Sequence, residues 1–127
     1  MSRTVMTGEA PKPVGPYSQA IVANGLVFCS GQIGIDPATG KLAEGGIENE
    51  TEQVLENLQN VLAAAGSSLD EALRCTIYVT DMSNFQKVNA IYGKRFRSNP
   101  PARTTVGVLA LPMKALVEID VIAEVTP

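Results

Sequence analysis

An arginine and a glutamate near the carboxyl end of the chain are the residues best suited to chemistry. Arg103 and Glu118 lie in residues 100–125, which alternate as two β-strands do around a loop at Leu111-Pro112-Met113. If both strands belong to one sheet, Arg103 and Glu118 can both lie on its more polar face. A guanidinium and a carboxylate there could bind an anionic substrate and position a water beside it. The alternative is an interstrand salt bridge without a catalytic role.

The residue types present limit the other chemistry. Histidine is absent, which excludes a Ser-His-Asp triad, a Cys-His pair and the usual His-based zinc sites. Acid–base chemistry must then come from carboxylates, Tyr, Lys or the substrate itself. Cys29 and Cys75 lie far apart within apolar strand patterns, and we interpret them as buried free thiols.

The length and charge of the chain set its broad class. Its 127 residues predict one domain. A net charge of −3 and a pI of about 4.9 disfavour nucleic-acid binding, and the basic group Lys94, Arg95 and Arg97 is interpreted as the solvated end of a helix. No apolar run reaches the roughly 20 residues needed to span a bilayer. The amino terminus has no apolar signal core, so a cytoplasmic protein is expected.

The first half of the chain reads as strands joined by turns. Residues 3–7 favour a strand, and residues 8–20 form a Pro/Gly-rich loop in which Tyr17 is, on pattern alone, a packing anchor. Asn24-Gly25 between two β-rich runs predicts a hairpin. Gly31 lies inside the second run, which indicates a bulge or a close approach to the backbone.

The second half adds two amphipathic helices. Residues 48–65 carry a broad apolar stripe that Gly66 ends, and residues 84–97 carry a second stripe behind a capping box at Ser83-x-x-Gln86. The predicted order is β-β-β-α-β-α-β-β, an α+β fold with two helices on one face of a mixed six-stranded sheet. The opposite face is too apolar for solvent and too polar for a closed core. A symmetric oligomer would cover it.

Four segments together resemble the RidA/YjgF family of reactive-intermediate deaminases. They are GPYSQA (15–20), SGQIGIDPATG (30–40), VNAIY (88–92) and PARTTVGVLALP…VEIDVIA (101–123), colinear over essentially the whole chain. The most specific part is PAR followed, fifteen residues after Arg103, by the Glu118-Ile119 pair. The resemblance implies a chorismate-mutase-like fold and a homotrimer whose sheets form a central barrel, with sites in the clefts between subunits.

The resemblance also implies an activity, the hydrolysis of enamine and imine intermediates such as 2-aminoacrylate, 2-iminopropanoate and 2-iminobutanoate to 2-keto acids and ammonia. Arg103 would bind the substrate carboxylate and Glu118 would orient the attacking water. The positions that match the substrate cleft are Tyr17, Ser30, Gly31, Asn89 and Thr105. Thr105 replaces a residue that is often Cys in relatives, which leaves no thiol for a covalent step. No cofactor or metal is implied.

Two other functions remain open on the sequence alone. A non-catalytic module could use the same cleft to bind keto acids or other small molecules. Relatives have also been described as ribonucleases or translation inhibitors, but the acidic pI and the aromatic content of 5% argue against RNA as a partner.

Overall fold

A computed structural model describes residues 1–96 and 98–126. Its main feature is a six-stranded sheet of β1 (Arg3–Val5), β2 (Ala20–Ala23), β3 (Leu26–Ile33), β6 (Ala72–Val79), β7 (Ala102–Gly107) and β8 (Val117–Glu124). These strands lie in the order β1-β2-β3-β8-β6-β7. Only the β6–β7 pair is parallel. The predicted mixed six-stranded sheet is therefore confirmed.

Both predicted helices cover the same face of this sheet. α1 (Ile47–Ala64) packs on β3 and β8, and α2 (Phe85–Arg95) packs on α1. The predicted α1 stripe forms the core, and its members are wholly buried: Val54, Leu55, Leu58, Val61, Leu62 and Ala65. Gly66 ends the helix with a φ of 84°, a conformation that costs glycine little. Because a continuous apolar stripe needs burial, the stripe predicts both this helix and the face that it buries.

The turns follow the predictions with two local differences. Asn24 and Gly25 have φ angles of 54° and 76°, as a two-residue hairpin between β2 and β3 requires. The turn at residues 36–40 closes an additional short hairpin of β4 (Ile35–Asp36) and β5 (Lys41–Leu42). The capping box at Ser83 is wrong, because the Asp81 carboxylate accepts the Ser83 N–H and one 3₁₀ turn precedes α2. Of the predicted end of that helix, residue 97 lies outside the described residues.

The sheet face opposite the helices is uncovered within one chain. Phe28 on this face is 43% exposed, Leu26 and Ile122 beside it are half-buried, and so is Val106 on the edge strand β7 of the same face. Tyr78, Thr76 and Asp120 interrupt the apolar surface, in agreement with the expectation of a face that is too polar for a closed core. None of the helices that the structure describes is long and apolar enough to cross a membrane.

Candidate functional site: two groups of residues on opposite sheet faces

The carboxylate of Glu118 lies in a cavity of about 160 Å³ between the sheet and the amino-terminal loop. Tyr17 and Gly31, both predicted from the sequence, line the same cavity. Glu118 is half-buried on β8, directly across from Tyr78 on β6 and Ile33 on β3. The site therefore holds a carboxylate that is sheltered from bulk water but still reachable by a small molecule.

Because Gly31 has no side chain, the Glu118 carboxylate can occupy the space beside its backbone. A Cβ at position 31 would overlap the carboxylate group. The pairing of β3 with β8 also shifts between Cys29 and Gln32, so the predicted bulge is present. The predicted bulge and the predicted close approach to the Gly31 backbone are therefore both present, and Glu118 is the group that approaches.

The surroundings of Glu118 make its carboxyl group a better proton acceptor. Burial raises the pKa of Glu118, and the negative charge of Asp120, two residues along the same strand face, raises it further. Asp120 is held in place, since it accepts hydrogen bonds from the Tyr78 hydroxyl at 3.1 Å and the Thr76 N–H at 3.2 Å.

The amino-terminal loop is fastened to the sheet by a buried glutamine. The Gln19 side chain accepts from the Thr7 N–H at 2.7 Å and donates to the carbonyls of Thr7 and Pro11 at 3.1 and 2.9 Å. Ser30 donates its hydroxyl to the Ser18 carbonyl at 2.6 Å and its N–H to the Gln19 carbonyl at 2.9 Å. In this chain Ser30 therefore holds the loop beside Tyr17, which itself is 49% exposed.

A second group of residues surrounds Arg103 between β7 and α2. The central carbon of its guanidinium lies 4.9 Å from the centroid of the Tyr92 ring and 5.6 Å from that of Phe85. Asn89 lies on the same side of α2 as these two rings, and Thr105 lies on the same face of β7 as Arg103.

Three polar atoms in this group are buried without a hydrogen-bond partner in the described residues. They are Asn89 Oδ1, the Tyr92 hydroxyl and Thr105 Oγ1. Buried polar groups are nearly always paired in proteins, so three unpaired atoms beside one half-buried cation mark this region as unusual. Burial and the nearby Cys75 thiol raise the pKa of Tyr92, which keeps its hydroxyl protonated.

The two groups do not meet within one chain, and the prediction that Arg103 and Glu118 share a sheet face is wrong. Arg103 pairs with Cys75, which faces the helices, whereas Glu118 pairs with Tyr78, which faces away from them. Strand β6 also lies between β7 and β8. Thr105 pairs with Ile77 and thus lies on the helix face too.

The register of β7 against β6 sets this face, and two aromatic rings accommodate the cation there. Arg103 can lie on the helix face because Phe85 and Tyr92 cover its guanidinium there. An interstrand salt bridge between Arg103 and Glu118 is also excluded, because the two side chains lie on opposite faces of the sheet. Within residues 1–96 and 98–126 the one ion pair joins Arg95 to Glu56 at 3.1 Å.

Several residues at the site were not singled out by the sequence. Lys12, Gln32 and Met113 line the Glu118 cavity, and Phe85 and Tyr92 appeared only as members of an apolar stripe. The burial of Gln19 had one available signal, since a loop with several prolines lacks backbone donors of its own and needs side chains to fasten it. Among the described residues, no group of three or more Cys, Asp or Glu side chains could hold a metal ion.

Comparison with known proteins places these observations in a family. A family model described as endoribonuclease L-PSP matches residues 7–125. A RutC family protein of Pyrococcus horikoshii is 47% identical over 123 residues, which cover 97% of this chain and 98% of that protein. Reactive Intermediate Deaminase A of Arabidopsis thaliana, a chloroplastic protein, is 47% identical over 119 residues, or 94% of this chain and 64% of the longer relative.

A solved structure shows the same architecture. A protein of unknown function from Yersinia pestis, described as a member of the conserved Rid family, is 48% identical and superposes with a TM-score of 0.95. The superposition covers 98% of this chain and 100% of the other. A match at this level fixes the fold over nearly the whole chain.

Proposed function

The chain belongs to the YjgF/RidA family, and from that premise we propose that it hydrolyses reactive enamine and imine intermediates to 2-keto acids and ammonia. The observation that carries the proposal is the presence of two groups of residues, one around Arg103 and the other around Glu118. One supplies a cation that forms no ion pair with a carboxylate of the described residues, and the other supplies a sheltered carboxylate with a raised pKa. The name of the Arabidopsis relative, a reactive intermediate deaminase, supports the same reaction.

The substrates of this reaction need little catalytic machinery. An enamine such as 2-aminoacrylate tautomerises to the imine, and a protonated imine carbon is already electrophilic. Arg103 binds the substrate carboxylate with two parallel N–H donors, a geometry that lysine lacks. This contact fixes the imine carbon relative to the water that attacks it.

Glu118 acts on the water. Its carboxylate accepts a proton as the water oxygen bonds to the imine carbon, and the raised pKa strengthens it as a base. The same proton then passes to the nitrogen, and the C–N bond breaks. Ammonia leaves as the carbonyl forms, the hydroxyl proton goes to the Glu118 carboxylate, and the departing ammonia takes that proton away as ammonium. Tyr17, Gly31, Asn89 and Thr105 shape the cleft around the substrate.

A second copy of the chain completes each site. Arg103 and Glu118 lie on opposite faces of their own sheet, so one subunit supplies Arg103 and its neighbour supplies Glu118. The uncovered sheet face with Phe28 supports a homotrimer closed through that face. A monomer would leave both the face and the site unfinished.

The first experiment measures imine hydrolysis by the wild type, Arg103→Ala and Arg103→Lys. Threonine dehydratase or an amino-acid oxidase generates the intermediate in situ, and keto-acid release is compared with the uncatalysed rate. We expect acceleration by the wild type, loss in Arg103→Ala, and partial activity in Arg103→Lys because the charge remains but the planar fork does not. A wild type that matches the uncatalysed rate for several imino acids would contradict the proposal.

Mixed oligomers test where the site lies. Arg103→Ala and Glu118→Ala chains, each inactive alone, are denatured together and refolded. If subunits share sites, about a quarter of the sites in a random equal mixture contain both intact residues, and activity returns. Complete absence of activity in correctly assembled mixtures would mean that the site lies within one subunit.

Binding without turnover and RNA cleavage are the other candidates. A module that binds keto acids without hydrolysing imines would bind 2-oxobutanoate and fail the assay above. The family description as an endoribonuclease favours testing RNA. The net charge of −3 argues that any RNA binding is weak and disappears as the salt concentration rises. An RNA titration at low and at physiological salt tests this, since binding that persists at physiological salt would favour RNA as a ligand.

A further inference from the structure

We propose that Tyr92 and Phe85 are positioning residues, whose ring faces hold the Arg103 guanidinium ready to bind the substrate carboxylate. The inference rests on the proposed function, because it assigns the support for a group that the proposed reaction uses. Neither Tyr92 nor Phe85 lines the Glu118 cavity.

The geometry is that of a cation between two aromatic rings. The distances of 4.9 and 5.6 Å from the guanidinium carbon to the ring centroids are both within the roughly 6 Å range of cation–π attraction. Tyr92 and Phe85 are seven residues apart on α2, so two helical turns bring both rings to one side of the helix. That side faces the strand that carries Arg103.

The choice of rings rather than a carboxylate has a chemical consequence. No Asp or Glu among residues 1–96 and 98–126 forms an ion pair with Arg103. A protein carboxylate there would compete with the carboxylate of the substrate for the same N–H donors. A ring attracts the cation through its negative face and supplies no carboxylate oxygen, so the guanidinium is held and yet available.

The support is itself rigid. Tyr92 is 5% exposed, and its ring packs on Phe96 with 4.4 Å between the centroids. An arginine side chain has many rotamers, and restricting them costs conformational entropy when a ligand binds. Rings that restrict Arg103 before the substrate arrives remove part of that cost from binding.

The Tyr92 hydroxyl provides a matched control. It is buried beside the Cys75 thiol and forms no hydrogen bond to Arg103 within the described residues. Tyr92→Phe therefore keeps the ring face and removes a group that the proposed support does not use, whereas Tyr92→Leu removes the ring. Phe85→Tyr and Phe85→Leu form the equivalent pair at a half-buried position.

The test measures the affinity for 2-oxobutanoate by calorimetry and the kcat and KM for imine hydrolysis. We expect Tyr92→Leu to bind about tenfold more weakly and to raise KM with kcat little changed, because the lost attraction acts on the binding cation. Tyr92→Phe should bind within about twofold of the wild type. Circular dichroism and the oligomeric state establish that each variant is folded. If Tyr92→Leu does not fold, Phe85→Leu is measured in its place.

A double-mutant cycle separates positioning from a general effect on the fold. In the Arg103→Ala background, weaker binding is followed by chemical-shift titration, and removal of the Tyr92 ring should have no further effect. Wild-type affinity in Tyr92→Leu, or equal losses with and without Arg103, would overturn the inference. If the proposed function alone is wrong, the wild type shows no imine hydrolysis, and any binding of 2-oxobutanoate still weakens on loss of the Tyr92 ring. If only the positioning role is wrong, Arg103→Ala is defective and the ring variants are not.

Discussion

Gly31 lies against the Glu118 carboxylate so closely that no side chain fits between them. Gly31→Ala should therefore displace the carboxylate while the flexible end of Glu118 adjusts and the sheet stays intact. We expect imine hydrolysis to fall at least about tenfold, since small misplacements at a reacting centre are costly, with little change in melting temperature. Gly8→Ala is the matched control, because a Cβ there meets nothing within 4 Å. Equal activity of the two variants would show that Glu118 need not occupy its present position.

Replacing the Glu118 carboxylate by an amide should separate stability from activity. The raised pKa means that the folded state favours the protonated form. This group's contribution to the free energy of unfolding therefore falls as pH rises above the ordinary carboxyl pKa of 4.5. Glu118→Gln should then melt at a higher temperature than the wild type at pH 7 and lose turnover. Thermal melts at pH 4 and pH 7 check the sign, since the difference should shrink at the lower pH.

Asp120 should set the pH at which activity is lost on the acid side. Its charge raises the pKa of Glu118, so Asp120→Asn should lower that pKa and move the acid limb of the kcat/KM profile to lower pH. The amide oxygen of Asn can still accept the Thr76 N–H, and its NH2 group can donate to the Tyr78 hydroxyl oxygen, which keeps the local geometry. The pH profiles of the two proteins provide the measurement, and superimposable acid limbs would mean that another group controls the rate.

A buried glutamate on α1 should matter for stability and, through the strand it supports, for activity. Glu50 is 6% exposed and accepts the Leu116 N–H at 2.9 Å, just before the strand that carries Glu118. Glu50→Ala leaves that N–H unpaired and should cost about 1–3 kcal/mol of unfolding free energy. Glu50→Gln retains an acceptor oxygen and serves as the comparison in urea titrations. A similar loss in both variants would assign the effect to charge rather than to the hydrogen bond.

Both cysteines should be inert in the folded protein. Burial raises the pKa of the Cys29 thiol to about 12, with a smaller contribution from Asp120, and burial is also the main cause that raises the pKa of Cys75. A thiol-alkylating reagent should modify both residues only in denaturant. Rapid modification of either thiol at neutral pH would show that the core opens more readily than its burial indicates.

The sequence predicted the elements well because their signals are local. The α1 stripe and the Asn24-Gly25 turn each depend on neighbouring residues, and both are confirmed. The sheet face of Arg103 depends on something else, the register that β7 adopts against β6 after a helix and a loop. Strand alternation shows which residues share a face, but not which face meets the helices. The roles of the site residues remain predictions, since they depend on how copies of the chain combine.

The opposite-face placement of Arg103 and Glu118 has a genetic consequence. If neighbouring copies share sites as proposed, a chain damaged at both residues disables every site to which it contributes, including those it shares with intact copies. In a cell that makes both kinds of chain, activity would follow the square of the intact fraction rather than the fraction itself. Such an allele would be partly dominant, although the encoded protein folds and assembles normally.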